Sequence, residues 1–188
     1  LYLDVVGYAD HGGMQAAERL LPECLRGYFH HFRVAGYKIF LDGSPQGRTA
    51  WLRTPYAGEK DYRGYGTMTD EQVLSAFRTA VSQGRQLLSH CNGDAAAEQY
   101  LRAIAQVEKE GLDAAAIRPV MIHAQLLGLD QLPELKRLGV LPSFFVAHVY
   151  HWGDVHVKNL GPERAAHICS PRRYFPASAA TRSPSSAA

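Results

Sequence analysis

A chain of 188 residues is long enough for one domain with a real core. With 46% hydrophobic and 20% charged residues and a formal net charge of +2, it reads as soluble and globular, and charge gives no case for a nucleic-acid partner. No apolar run approaches the ~20 residues of a membrane span, and no signal-peptide pattern opens the chain, so a membrane role is set aside.

Residues 1–6 read as a buried strand, which begins without an initiator methionine. Residues 12–26 carry Met14, Ala17, Leu20, Leu21 and Leu25 at helical spacing, with Pro22 as a kink or break. Residues 34–41 form a second strand that ends at Asp42-Gly43. The connection 44–68 exceeds ordinary βα loops, and its aromatics Trp51, Tyr56, Tyr62 and Tyr65 predict an ordered lid. Thr69-Asp70-Glu71 opens a helix to about residue 83, with Val73, Leu74, Phe77, Ala80 and Val81 as its apolar face. A third strand covers residues 86–90. Asn92-Gly93 breaks it, and Asp94 stands as the N-cap of a helix reaching about residue 110. Residues 119–124 are a fourth strand, 129–138 a helix and 140–146 a fifth strand. Residues 147–160 read as a second long loop, which holds His148, His151, Trp152, Asp154 and His156. A short helix follows over 162–168 with Pro at its first position.

The tail 171–188 is Pro, Ser, Ala and Arg with little apolar patterning, and is predicted to be disordered. The domain is therefore placed at 1–170, and the two unusual ends suggest a piece of a longer protein. Cys24, Cys91 and Cys169 are odd in number and widely spaced, which fits a reducing, cytoplasmic setting better than a disulfide framework.

Strand–helix alternation five strands deep predicts a parallel α/β sheet, either doubly wound or part of a (β/α)8 TIM barrel. The chemistry-bearing residues favour the barrel, because Lys38, His90, His123 and His148 all lie at or just beyond strand ends, which converge on one mouth. A full barrel needs roughly 250 residues, so this chain would hold about five of eight units.

His90 and His123 end consecutive strands, which lie about 4.8 Å apart. Two such imidazoles can share a divalent metal, or they are simply hydrogen-bonded buried histidines. Lys38 lies inside an apolar strand, where a lysine must be paired or modified. Three readings compete: an ion pair with an acid such as Asp4, a Schiff base with a carbonyl substrate, or a carboxylated lysine bridging metals. Asp42 reads as a turn residue bonding backbone amides. Cys91 points away from His90 as a small buried residue. Arg48, Trp51 and Arg53 are either substrate-wall residues or lid packing.

Tyr37-Lys38-Ile39-Phe40-Leu41-Asp42-Gly43-Ser44, Ser89-His90-Cys91-Asn92-Gly93-Asp94-Ala95-Ala96, Ile122-His123-Ala124-Gln125 and Ala147-His148-Val149-Tyr150-His151-Trp152-Gly153-Asp154 occur in this order. Over about residues 1–170 the combination resembles the metal-dependent amidohydrolase superfamily, in the family 3 branch that includes N-substituted formamide deformylase-like enzymes. The resemblance implies strands 3 to 7 of a (β/α)8 barrel and one or two divalent metals, usually zinc. It implies Lys38 as a carboxylated bridging ligand, His90 and His123 as metal ligands, and His148 as a residue facing the substrate. Arg48, Trp51 and Trp152 would join His148 around a small-molecule substrate, with Asp42 and Asp94 supporting or capping. A metal-activated water would then cleave a non-peptide C–N bond.

The chain departs from the family pattern in three ways. It lacks the first-strand His-x-His pair and the eighth-strand aspartate, and Ile122 stands where Glu is common. The isolated chain is therefore expected to be inactive or nearly so. A noncatalytic metal- or ligand-binding remnant and a Schiff-base lyase using Lys38 are the alternatives, and a homo-oligomer is compatible with either.

Overall fold

The computed structural model describes residues 2–169. Five strands, β1 (Val5–Ala9), β2 (Phe32–Phe40), β3 (Gln86–Cys91), β4 (Val120–His123) and β5 (Leu141–Phe144), form one sheet in the order β1-β2-β3-β4-β5. Every neighbouring pair is parallel. A doubly wound sheet reverses its strand order at a switch point. Strict sequential order is the order of a barrel wall, which decides between the two expected architectures.

The helices are α1 (His11–Leu20), α2 (Pro22–Arg26), α3 (Asp70–Ser82), α4 (Asp94–Lys109), α5 (Leu132–Arg137), α6 (Ala147–Leu160) and α7 (Pro162–Ala165). The Asp10 carboxylate caps α1 by accepting from Gly13 N at 2.7 Å, and Pro22 separates α1 from α2 as expected. Thr69 and Gln72 make a reciprocal capping box on α3, whose Val73, Phe77 and Ala80 are buried. No helix of the described residues is long and apolar enough to cross a membrane.

Alternation along the strands sorts the two faces of the sheet. Tyr37, Leu87, Cys91 and Met121 are buried in one core with Phe77 of α3 and with Tyr100 and Ile104 of α4. Phe77 and Tyr100 meet edge to face at 5.1 Å. The opposite face carries Lys38 and Phe40, with His90 in register beside Phe40. That face is open: Phe40 is 53% exposed.

Three expectations are corrected. The first strand begins at Val5 and runs to Ala9, because its register against Phe32–Val34 and the cap at Asp10 set its limits. Tyr2 and Leu3 are exposed instead of buried. Asp94 is not the N-cap of α4. Gly93 is, and Asp94 is the first helical residue. Residues 147–160, expected as a loop, form α6. The buried side chains of α6, His156, Asn159 and Leu160, do have helical spacing, but two of the three are polar and hid the periodicity.

Candidate metal centre

The site begins with Asp42, just past the end of β2. Its carboxylate is buried and accepts three backbone N–H groups: Trp51 at 3.0 Å, Asn92 at 2.9 Å and Gly93 at 2.7 Å. One anion thus fastens the start of the long loop 41–69 to the β3–α4 turn. Asp42 bonds backbone amides as expected, but at Trp51, Asn92 and Gly93, not within its own turn. Asp42 Oδ1 also lies 3.4 Å from His90 Nδ1. The Asn92 side-chain amide donates to Gly43 O at 2.7 Å and contacts His90 Nε2 at 3.3 Å.

The close approach needs Gly93. A Cβ there would sit 1.8 Å from the Trp51 carbonyl oxygen. Ala95 N donates to that same oxygen at 3.2 Å.

His123 ends β4 opposite Cys91, whose side chain faces the helices. Regular pleating would send His123 to the same side. Instead His123 (φ 75°) and Ala124 (φ 46°) are both left-handed, and the His123 ring stands edge-on to His90 with centroids 4.8 Å apart. Two consecutive left-handed non-glycine residues are a strained arrangement of the kind found at functional sites. The His148 ring, on α6, lies nearly parallel to His123 at 5.9 Å. Lys38 has no ion pair among the described residues, and its Nζ lies 5.0 Å from the centre of the Phe40 ring. The expected pairing with Asp4 is overturned, because Asp4 pairs with His31 at 2.7 Å.

Residues 1–184 match the family model described as the Amidohydrolase family. The chain belongs to the amidohydrolase family. The match runs past residue 170, where composition had placed the end of the domain; the structure of that tail lies outside the described residues. A Bacillus subtilis (strain 168) protein named as an amidohydrolase, YtcJ, is 32% identical over 131 residues, 68% of this chain and 23% of that one. An uncharacterized metal-dependent hydrolase from Pyrococcus furiosus superposes with a TM-score of 0.75 at 27% identity, over 89% of this chain and 34% of its own. A second from Pyrococcus horikoshii OT3 gives 0.69 at 27%, over 86% and 32%. The chain therefore spans about a quarter of the curated relative and about a third of the solved structures.

Within this amidohydrolase chain, His90, His123, His148 and Lys38 share one end of the sheet. The other expected site residues lie elsewhere. Arg48 pairs with Glu59 at 2.6 Å and packs over the Tyr56 and Tyr62 rings, inside the loop's own packing. The Trp51 ring lies against Gly66. Arg53 joins Glu98 and Asp130. Trp152 is half-exposed on α6, one turn beyond His148. Asp94 accepts from Arg53 N at 2.9 Å and Ala95 N at 3.1 Å, and burial raises its pKa against those bonds. Gln125 and Asn92 carry no chemical expectation in the sequence, where Asn92-Gly93 serves only to end the strand. Each follows a strand-end histidine by two residues, which is the one signal that marked them.

His123 Nδ1 is buried without a hydrogen-bond partner, His90 Nδ1 faces Asp42 Oδ1 at 3.4 Å, and edge-on imidazoles at 4.8 Å can share an ion. Among the described residues, no group of three His, Cys, Asp or Glu side chains could complete a shell. The pair fits as two ligands, and the remaining positions are not supplied by residues 2–169. A groove of about 840 Å³ lies to one side, between α1 and α3, and touches the site only through Lys38 and Phe40.

Crowding of basic groups has a measurable consequence. His123 is pushed down to about 4, by burial first and then by His90, His148 and Lys38. The unfolded chain takes that proton near pH 6.5. This contribution to stability is therefore complete above about pH 6.5 and is lost as pH falls towards 4. Burial lowers Lys38 to about 8, with the same sign in a higher window, so stability rises between about pH 8 and 10.5. Each effect is at most about 3 kcal/mol, and solvent reaching these half-buried groups reduces it. Urea midpoints should fall between pH 7 and pH 4 in the wild type and fall less in His123→Gln; parallel profiles would contradict this account.

Proposed function

We propose that this chain is part of a metal-dependent amidohydrolase that hydrolyses a non-peptide C–N bond in a small molecule, with zinc as the ion. The observation that carries the reading is the His90–His123 pair, turned together by a strained strand end in a chain of the amidohydrolase family. His90 and His123 would hold the ion, with Lys38, as its carbamate, a candidate third ligand. When bound, a divalent ion supplies a Lewis acid and lowers the pKa of water. The chain's own residues would orient the substrate beneath His148 and exclude water through the loop fastened by Asp42. Overall, a C–O bond forms, the C–N bond breaks and the leaving nitrogen takes a proton. With two imidazoles and one lysine, residues 2–169 alone are expected to be a poor catalyst. Three free, buried cysteines favour a reducing compartment such as the cytoplasm.

Elemental analysis of the purified chain tests the reading. Stoichiometric divalent metal in the wild type, lost in His90→Ala and in His123→Ala, is expected. A folded wild type with no metal would favour a noncatalytic remnant. One observation favours a second reading: Lys38, with no acid partner among the described residues and a pKa lowered by burial, is suited to attack a carbonyl. Borohydride trapping of a substrate on Lys38 would select that lyase reading instead.

A further inference from the structure

We propose that Gln125 is a positioning residue that fixes His148 with its proton on Nε2, so that His148 offers a hydrogen-bond donor, not a base, to a substrate carbonyl oxygen. The carbonyl rests on the amidohydrolase reading above; the tautomer does not.

Gln125 is 1% exposed. It sits just beyond the left-handed pair His123-Ala124, and its neighbour Leu126 N donates to Asn92 O at 2.9 Å. Its side-chain nitrogen Nε2 contacts His148 Nδ1. An amide nitrogen can only donate, and a neutral imidazole has one donor and one acceptor nitrogen. Nδ1 therefore accepts, and the ring proton lies on Nε2. Burial lowers the pKa of His148, which favours this neutral form.

Cys169 packs beside this residue: its backbone N donates to the Gln125 main-chain oxygen at 2.8 Å, and its thiol donates to Phe145 O at 3.6 Å. With the amide nitrogen on His148, the Gln125 carboxamide oxygen is left buried without a partner among the described residues, which is the cost of this orientation.

The His148 ring is held on its other sides as well. It packs on Phe145 at 4.4 Å and lies nearly parallel to His123. Nε2 makes no hydrogen bond among the described residues. A donor there suits an oxygen that gains negative charge as a carbonyl is attacked. A base would need a lone pair at the same place, and the reversed amide would provide one. The two orientations therefore predict opposite chemistry.

Long-range ¹H–¹⁵N correlation spectra of the histidine-labelled chain above pH 7.5 read the tautomer directly. His148 is assigned by the signal lost in His148→Asn. The wild type should show a protonated Nε2 and a bare Nδ1. In Gln125→Glu the side chain can only accept, so the proton should move to Nδ1. A wild-type His148 protonated on Nδ1, a mixture of tautomers, or a folded Gln125→Glu with no exchange of protonated nitrogen would overturn the proposal. If that variant does not fold, the wild-type spectrum decides. Metal analysis tests the hydrolase reading and this spectrum tests the tautomer, so either can fail alone.

Discussion

Asp42→Ala should lower the stability of the chain by about 4 kcal/mol or more, at the extreme end of single substitutions. The reason is a count of orphaned groups. Three backbone N–H donors, from Trp51, Asn92 and Gly93, converge on this carboxylate in a buried place. Each buried donor left without an acceptor costs about 1–3 kcal/mol. A domain's whole stability is typically about 5–15 kcal/mol, so this one substitution would remove a large part of it. Asp42→Asn keeps one acceptor oxygen and should cost about half as much. Urea denaturation measures both, through the midpoint at unchanged slope. A loss below about 1 kcal/mol for alanine would mean that water replaces the carboxylate and that the loop is not fastened through it.

Gly93→Ala should cost about 3 kcal/mol, the top of the range for overpacking, although the backbone conformation suits alanine. Gly93 has φ −84° and ψ 156°, which any residue adopts. The obstacle is spatial: the new methyl would meet the Trp51 carbonyl oxygen at 1.8 Å and its carbon at 2.5 Å. Both are backbone atoms and cannot rotate away. Gly84 is the opposite case and serves as a control. It has φ +61° and nothing within 4 Å of the missing Cβ. Alanine there meets only the left-handed penalty of about 1 kcal/mol. If the two substitutions cost the same, the contact at Gly93 does not govern the loop. Because Gly93 N is itself a donor to Asp42, the Asp42→Asn/Gly93→Ala double variant should lose less than the sum of the singles.

Much of this was legible before any coordinates, and the reasons are local. The strands β2, β3 and β4 announce themselves as short apolar runs closed by Asp42-Gly43, Asn92-Gly93 and His123. The placement of Lys38, His90 and His123 at one end followed from the same runs. What could not be read depended on geometry that carries no periodicity. Nothing in the order His123-Ala124-Gln125 tells that two residues are left-handed, yet that kink is what turns His123 toward His90. The helix α6 was hidden because two of its buried positions are the polar residues His156 and Asn159; Asn159 donates to Pro45 O, whereas neither ring nitrogen of His156 has a hydrogen-bond partner among the described residues. Arg48 and Trp51 have the composition of a substrate wall, but the loop uses them to pack on itself.

The sequential order of the strands bears on how the chain assembles. Each strand pairs with the next one to be synthesised, so the sheet can be laid down in the direction of translation without waiting for a distant partner. One step stands apart. Gly36 of β2 pairs with Gln86 of β3 across the whole loop and α3, the longest stretch of chain that any strand pair encloses. Closing it costs the most entropy, so this joint is expected to set the pace of folding. The carboxylate that steadies His90 is also the clasp on that joint, which ties the assembly of the sheet to the assembly of the site.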